Sequence, residues 1–140
     1  MLTQSPPVAH CSVVAARRPG IVIVEDDAAL LGALEFSLDA EGYDVRAFLG
    51  EARVLAHLRS VMDARCLVID YRLTPLDGLE LIALLRARGL RAPAILMASH
   101  PDGRCREQAH RLGARIIEKP LLNDALSRLI RELLTARSLD

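Results

Sequence analysis

Three strand-like runs in this sequence end on charged residues, and the types of those residues point to one chemistry. The run 66–69 stops on Asp70, the run 21–24 stops on Glu25-Asp26-Asp27, and the run 114–117 leads through Glu118 to Lys119-Pro120. Acids at the carboxyl ends of parallel strands sit where open α/β sheets place their ligands. Glu25, Asp26 and Asp70, brought together, repel one another and raise one another's pKa. A hard divalent cation removes that conflict, because Mg²⁺ takes oxygen ligands, keeps several waters and is held by one or two carboxylates plus phosphate oxygens. Lys119 opposite such a group supplies a point charge for an anion. The set describes a site for a metal and a phosphoryl group. Taken singly, each member has a plainer role. The acidic triplet could only cap a helix, through Asp26 or Asp27; Asp70 could start a turn; Lys119 could be a surface lysine. Their conjunction at three strand ends favours the functional role.

The elements that must position these groups are legible in the hydrophobic pattern. Residues 21–24 form a continuous β-branched run, as in a strand buried on both faces. Leu30, Leu31, Leu34 and Leu38 then recur at helical spacing until Gly42. Residues 44–48 form a shorter, half-polar strand suited to a sheet edge. Residues 51–62 read as one helix with Val54, Leu55, Leu58 and Met62 apolar. Strand 66–69 follows, then a loop, then a helix over 78–88 that buries Leu79, Ile82 and Leu85 before Gly89. Residues 94–98 read as the fourth strand, 99–103 as a loop, and a helix runs to Leu112 and Gly113. Residues 114–118 are the fifth strand. The last helix starts near Leu121 and carries Leu122, Leu126, Leu129, Ile130, Leu133 and Leu134. Five strand-helix repeats need crossover connections, so the sheet is parallel with helices on both faces. The expected organisation is one domain over 20–140, after a loose, flexible extension over 1–19 that holds Pro6, Pro7 and Arg17-Arg18.

Composition narrows the function. The chain has 140 residues, of which 51% are hydrophobic and 26% charged, as in a soluble globular domain. Eighteen basic and 18 acidic side chains give zero formal charge, so no basic excess offers itself to DNA or to an anionic membrane. Aromatics are 3% and Trp is absent, which removes the stacking platforms of single-strand binders. No apolar run approaches the roughly 20 residues of a membrane-spanning helix. Cys11, Cys66 and Cys105 have no metal-ligand spacing and read as reduced thiols of a cytoplasmic protein, Cys66 as a small core residue.

The residues Ile23-Val24-Glu25-Asp26-Asp27, Leu67-Val68-Ile69-Asp70 with Asp77-Gly78-Leu79-Glu80-Leu81 after them, and Ile117-Glu118-Lys119-Pro120 resemble the receiver domain of bacterial two-component response regulators. The likeness runs from about residue 20 to about residue 137, and its details are most similar to regulators of the nitrogen-fixation and nitrogen-regulation type. The resemblance implies a flavodoxin-like (βα)5 sandwich with strand order 2-1-3-4-5. It implies that Asp70 takes a phosphoryl group from a phosphohistidine on a sensor histidine kinase or phosphotransfer protein. Asp26 and Asp70 would bind Mg²⁺ with the backbone carbonyl of Arg72, Glu25 would act mostly through water, and Lys119, ahead of a cis peptide to Pro120, would pair with the phosphoryl oxygens. The resemblance also implies a partner or homodimer face made by the helix after the fourth strand, the fifth strand and the last helix. Arg104, Arg106, Arg111 and Arg115 mix there with Glu107 and Glu132. A direct nucleic-acid contact and a membrane partner are not expected.

Four departures from the family pattern stand out. The family's Thr or Ser at the end of the fourth strand falls on Ala98, with Ser99 one residue later; Ser99 is the candidate for that hydroxyl role, against a plain turn or cap role. The family's Tyr or Phe on the fifth strand falls on Ile116. The stretch 113–119 is one residue short. The loop after Asp70 has Thr74-Pro75, where the usual proline stands at position 74. His100 and Pro101 also face the site, His100 either tuning lifetime or serving as a plain loop residue. A receiver-like interaction module that works largely without phosphorylation is the alternative. An enzyme is disfavoured: a phosphatase of the haloacid dehalogenase type wants a second acid two residues after its aspartate, where Arg72 stands, and no Gly-rich phosphate loop is present.

Overall fold

A computed structural model describes residues 18–139 of the chain, with side chains through residue 136. The extension expected over 1–19 therefore lies, as far as residue 17, outside the described residues. The elements are β1 (Gly20–Glu25), α1 (Ala28–Ala40), β2 (Asp44–Leu49), α2 (Glu51–Ala56), α3 (Leu58–Met62), β3 (Cys66–Asp70), α4 (Gly78–Ala87), β4 (Ala94–Ala98), α5 (Gly103–Arg111), β5 (Ala114–Glu118) and α6 (Ala125–Leu139). All strands pair in parallel, in the order β2-β1-β3-β4-β5. Strand order reverses between β1 and β3, so the crevice at a topological switch point opens beyond Glu25 and Asp70.

Alternation along each strand sends neighbouring side chains to opposite faces. Val22, Val24, Leu67, Ile69 and Leu96 pack on one face with Val54, Val61, Leu81, Ile82, Leu85, Cys105 and Ala109 from α2 to α5. Ile21, Ile23, Val68, Ile95 and Met97 pack on the other with Leu31 and Leu38 of α1 and Leu126 and Ile130 of α6. Each such aliphatic side chain, fully buried, contributes roughly 1.5–3 kcal/mol. The three central strands are buried along almost their whole length, while β2 is half-exposed, as its mixed composition predicts for an edge. Cys66 is core, and burial pushes its thiol up to about 12.

Two element boundaries differ from the sequence reading. Residues 51–62 are two short helices, broken at His57 (φ −131°, ψ 43°). The His57 ring nitrogen Nδ1 lies 2.9 Å from the Arg53 carbonyl oxygen, so a side chain serves a helix-end carbonyl there. The break turns Val61 inward to full burial and leaves Leu55 38% exposed, which a single helical period assigns the other way round. The last helix starts at Ala125 rather than near Leu121. Asn123 takes φ 54°, a left-handed conformation that Asn tolerates, and Leu122 is left 63% exposed instead of joining the apolar face.

Candidate functional site: a carboxylate-lysine cluster at three strand ends

The acidic triplet after β1 divides its labour. Glu25 turns inward and is 2% exposed. Its Oε2 accepts from the backbone N–H groups of Asp26 (3.2 Å) and Asp27 (3.3 Å). Asp27 is the helix cap, accepting from the N–H groups of Ala29 (2.9 Å) and Leu30 (3.2 Å). Asp26 is exposed, its carboxylate beside Gly50. A Cβ at Gly50 would stand 3.3 Å from Asp26 Oδ1, and the Gly50 φ of 88° is one that other residues rarely adopt.

Asp70 ends β3 and is 3% exposed. Lys119 follows β5 and extends its ladder by one bond, its N–H donating to the Ala98 carbonyl at 2.9 Å. The peptide to Pro120 is cis, as the resemblance implies, and so is Thr74–Pro75. From β5 the Lys119 side chain reaches past the end of β4. Its Nζ lies 2.6 Å from Asp70 Oδ1 and 3.3 Å from Glu25 Oε1. Sequence positions 25, 70 and 119 are thus joined by one ammonium group.

The electrostatics follow from the count of charges. Burial and the charge of Asp70 raise the Glu25 pKa above its usual range, and Lys119 and the Asp27 N–H only partly oppose them. Burial pulls Lys119 down, but the hydrogen bond and charge of Asp70, then those of Glu25, more than offset it, so its pKa is raised. One cation serves two buried carboxylates, with Asp26 adding a third at the rim. Among the described residues no group of three or more His, Cys, Asp or Glu side chains is drawn together closely enough to hold a metal by itself. An all-oxygen set with excess negative charge nevertheless suits a hard cation that keeps its waters and takes one or two carboxylates. The residues fit Mg²⁺ in that sense. Arg72 follows on the exposed loop after Asp70.

Ala98 is the buried last residue of β4, and Ser99 lies exposed beyond it. No hydrogen bond from the Ser99 hydroxyl to Asp70 or Lys119 occurs among the described residues. His100 is also exposed, at φ 50°. Ile116 is half-buried against the core cluster on the α4–α5 side. Pattern reading names Gly78 only as a helix start, yet its reason is a close approach. A Cβ there would overlap the Asp70 carbonyl oxygen and stand 2.9 Å from both Leu96 Cδ1 and Tyr71 Cα. The signal that could have found it is the Asp77-Gly78-Leu79-Glu80 run. Asp77 and Glu80 form a capping box whose reciprocal bonds of 2.8 and 2.9 Å set the helix down on the end of β3.

The parallel 2-1-3-4-5 sheet is the fold of receiver domains of known structure. The family model for the response regulator receiver domain matches residues 21–131, and the chain belongs to that family. It is 33% identical over 111 residues to the transcriptional regulatory protein FixJ of Bradyrhizobium diazoefficiens, covering 79% of this chain and 54% of that protein. It is 35% identical over 120 residues to the C4-dicarboxylate transport transcriptional regulatory protein DctD of Pseudomonas aeruginosa, covering 85% of this chain and 26% of that one. The chain thus spans about half the length of FixJ and about a quarter of DctD. Among solved structures, FixJ-N superposes with a TM-score of 0.73 at 26% identity, covering 85% of this chain and 95% of that one. A CheY-like receiver from Methanospirillum hungatei superposes with a TM-score of 0.79 at 23% identity, covering 87% and 98%.

Proposed function

We propose that Asp70 accepts a phosphoryl group from a phosphohistidine on a sensor histidine kinase or a phosphotransfer protein, and that the domain signals through altered protein-protein contacts in the cytoplasm. The observation that carries this reading is the Lys119 ammonium held 2.6 Å from the Asp70 carboxylate and 3.3 Å from Glu25, at the switch point of the sheet. In the transfer, an Asp70 carboxylate oxygen forms a bond to phosphorus while the phosphorus–nitrogen bond of the donor breaks; the imidazole keeps the bonding pair and, carrying a proton on its other nitrogen, leaves as neutral histidine beside an acyl phosphate. Such transfers need alignment and neutralisation of spread negative charge more than covalent help. Lys119 is placed to pair with an incoming phosphoryl oxygen, and Glu25 orients Lys119. Asp26 and Asp70, with the Arg72 carbonyl and water, are the groups that would hold Mg²⁺, which when bound supplies neutralising charge for the phosphoryl oxygens. The chain's own chemistry ends with loss of its own phosphoryl group to water, so no turnover of a separate substrate is proposed.

The test is incubation with Mg²⁺ and acetyl phosphate, followed by intact mass. A gain of one phosphoryl group that vanishes in Asp70→Asn supports the reading; no gain from acetyl phosphate or from kinase donors sinks it. That second outcome would favour an interaction module that works without phosphorylation, a reading motivated by Ala98 and Ile116 at the positions of the family's hydroxyl and ring. The partner surface proposed is α5, β5 and α6. Its charges are largely paired within the chain, Arg106 with Glu118 (2.9 Å), Arg111 with Glu107 (3.2 Å) and Arg115 with Glu132 (3.6 Å). A homodimer there would exchange or cover these pairs. Direct nucleic-acid binding by this domain is not proposed, given the zero formal charge of the chain. Among the described residues no helix is long and apolar enough to cross a membrane.

A further inference from the structure

Ala98 and Ile116 leave the route from Asp70 to α5 without its usual hydroxyl and ring, yet one aromatic side chain does stand on that route. The chain has two Tyr, two Phe and no Trp. Phe36 is exposed on α1, Phe48 lies beside His57 with ring centroids 5.9 Å apart, and Tyr43 is buried in the cluster under α1 and α6. Tyr71 directly follows Asp70. Its backbone is pinned: its N–H donates to the Met97 carbonyl at 2.8 Å, and its own carbonyl accepts from the N–H groups of Gly78 (2.9 Å) and Leu73 (3.1 Å). Its ring is half-buried and packs on the cluster that holds Leu79, Leu96, Cys105 and Ala109, the same cluster that Ile116 covers.

The cluster on which the ring packs takes in the first turns of two helices, Leu79 of α4 and Cys105 of α5. Burial first, then Asp77, Cys105, Asp102 and Glu80, raise the phenol's pKa above its ordinary value. Asp77 is the N-cap of α4 and Asp102 the N-cap of α5, accepting from the Cys105 N–H at 2.8 Å. The far end of α5 is tied down independently. Arg86 of α4 donates from Nε to the Leu112 carbonyl (2.9 Å) and from Nη1 to the carbonyls of Leu90 (2.9 Å) and Ala92 (2.7 Å). Helix α5 is therefore anchored at its carboxyl end, while Cys105 of its first turn belongs to the cluster on which Tyr71 packs, which is the geometry of a lever with a fixed pivot.

We propose that Tyr71 is a positioning residue that couples the state of Asp70 to the amino-terminal turn of α5, in the role that Ile116 lacks the ring to fill. Any shift of the Asp70 backbone moves the adjoining Tyr71 Cα, and the close seat of Gly78 against both residues stops that shift from being absorbed locally. The ring then displaces or releases the start of α5, whose surface changes while its Arg86 anchor holds.

This proposal rests on phosphorylation of Asp70, and the experiment separates the two. The full chain is incubated with Mg²⁺ and acetyl phosphate; intact mass reads phosphorylation and amide hydrogen exchange over 103–111 reads α5. The wild type is expected to gain mass and to change exchange at the amino end of α5. Tyr71→Ala is expected to gain mass equally but to lose that change by roughly fivefold or more, and Tyr71→Phe, which keeps the ring, to restore it. A Tyr71→Ala chain that responds like the wild type at equal mass gain overturns the coupling alone. A wild type that gains no mass overturns the phosphoacceptor reading and the coupling together. Should Tyr71→Ala not fold, Tyr43→Phe leaves Tyr71 as the sole tyrosine; its emission is expected to change in step with mass, and unchanged emission overturns the proposal.

Discussion

Glu25 is the residue whose environment most constrains how the site behaves. Its pKa is raised, by burial first and by Asp70 second. A raised carboxyl pKa means that the fold favours the protonated form; that advantage is complete below the usual 4.5 and is lost as pH rises through the elevated folded value. At neutral pH the ionised Glu25 is held at a cost. Glu25→Gln is therefore expected to raise the urea midpoint at pH 7 in metal-free buffer, by on the order of 1 kcal/mol, with the difference closing as pH falls into the carboxyl range. A variant less stable than wild type at pH 7 would show that the Lys119 bond outweighs the repulsion. Lys119 has the opposite sense at the other end of the scale. Its pKa is raised above 10.5, so on the alkaline side its ion pairs are complete below 10.5 and fade as pH rises through that elevated value, while in acid they fade as the carboxylates protonate. Lys119→Met, which leaves two buried carboxylates sharing no cation, is expected to destabilise by about 2–4 kcal/mol at pH 7, and the loss should shrink at acid pH where the carboxylates protonate.

Two changes probe the elements that hold these residues. Gly78→Ala places a methyl group against the Asp70 carbonyl oxygen and 2.9 Å from both Leu96 Cδ1 and Tyr71 Cα. Helix α4 must then lift from the end of β3, at a cost of about 1–3 kcal/mol by urea denaturation. An unchanged midpoint would mean that the helix seats differently. The broken helix over 51–62 makes a sharper comparison. Val61→Ala removes a fully buried side chain and is expected to cost roughly 2 kcal/mol, whereas Leu55→Ala, at 38% exposure, should cost well under half of that. A continuous helix would bury Leu55 and reverse that order.

At the scale of the whole molecule, the site exists only because strand order reverses between β1 and β3 and because Lys119 crosses the end of β4 to reach both. Excess negative charge in that crevice predicts that Mg²⁺ binds the folded chain and not the unfolded one. It should then raise the thermal midpoint by mass action, by about 2.7 kcal/mol of stability at a hundredfold excess over its dissociation constant. Asp26→Asn and Asp70→Asn should abolish the increment. An equal Mg²⁺ response in both variants would place the cation elsewhere. Arg106, Arg111 and Arg115 on α5 and β5 are each paired within the chain, whereas Glu25 and Asp70 share one lysine.

Much of this was readable from residue order alone. Continuous apolar runs at 21–24 and 66–69, alternating with helical periods, dictate a parallel sheet, because only crossovers can join strands separated by helices. The acids and the lysine could be named because each stands at the end of a strand-like run, where no core can absorb a charge. Tertiary structure decided what periodicity cannot carry. The pattern left Asp26 and Asp27 interchangeable, and only the chain's exit from β1 assigns the cap to Asp27 and leaves Asp26 open. Apolar spacing over 51–62 fits one helix, and only packing against the sheet shows that His57 breaks it so that both Val54 and Val61 are buried. Leu122 has the right spacing for an apolar face, but the turn at Asn123 starts α6 after it. Gly78 and Tyr71 owe their importance to contacts with β3, β4 and the starts of two helices. Such distances between residues far apart in the chain are set by how elements pack, and no local period encodes them.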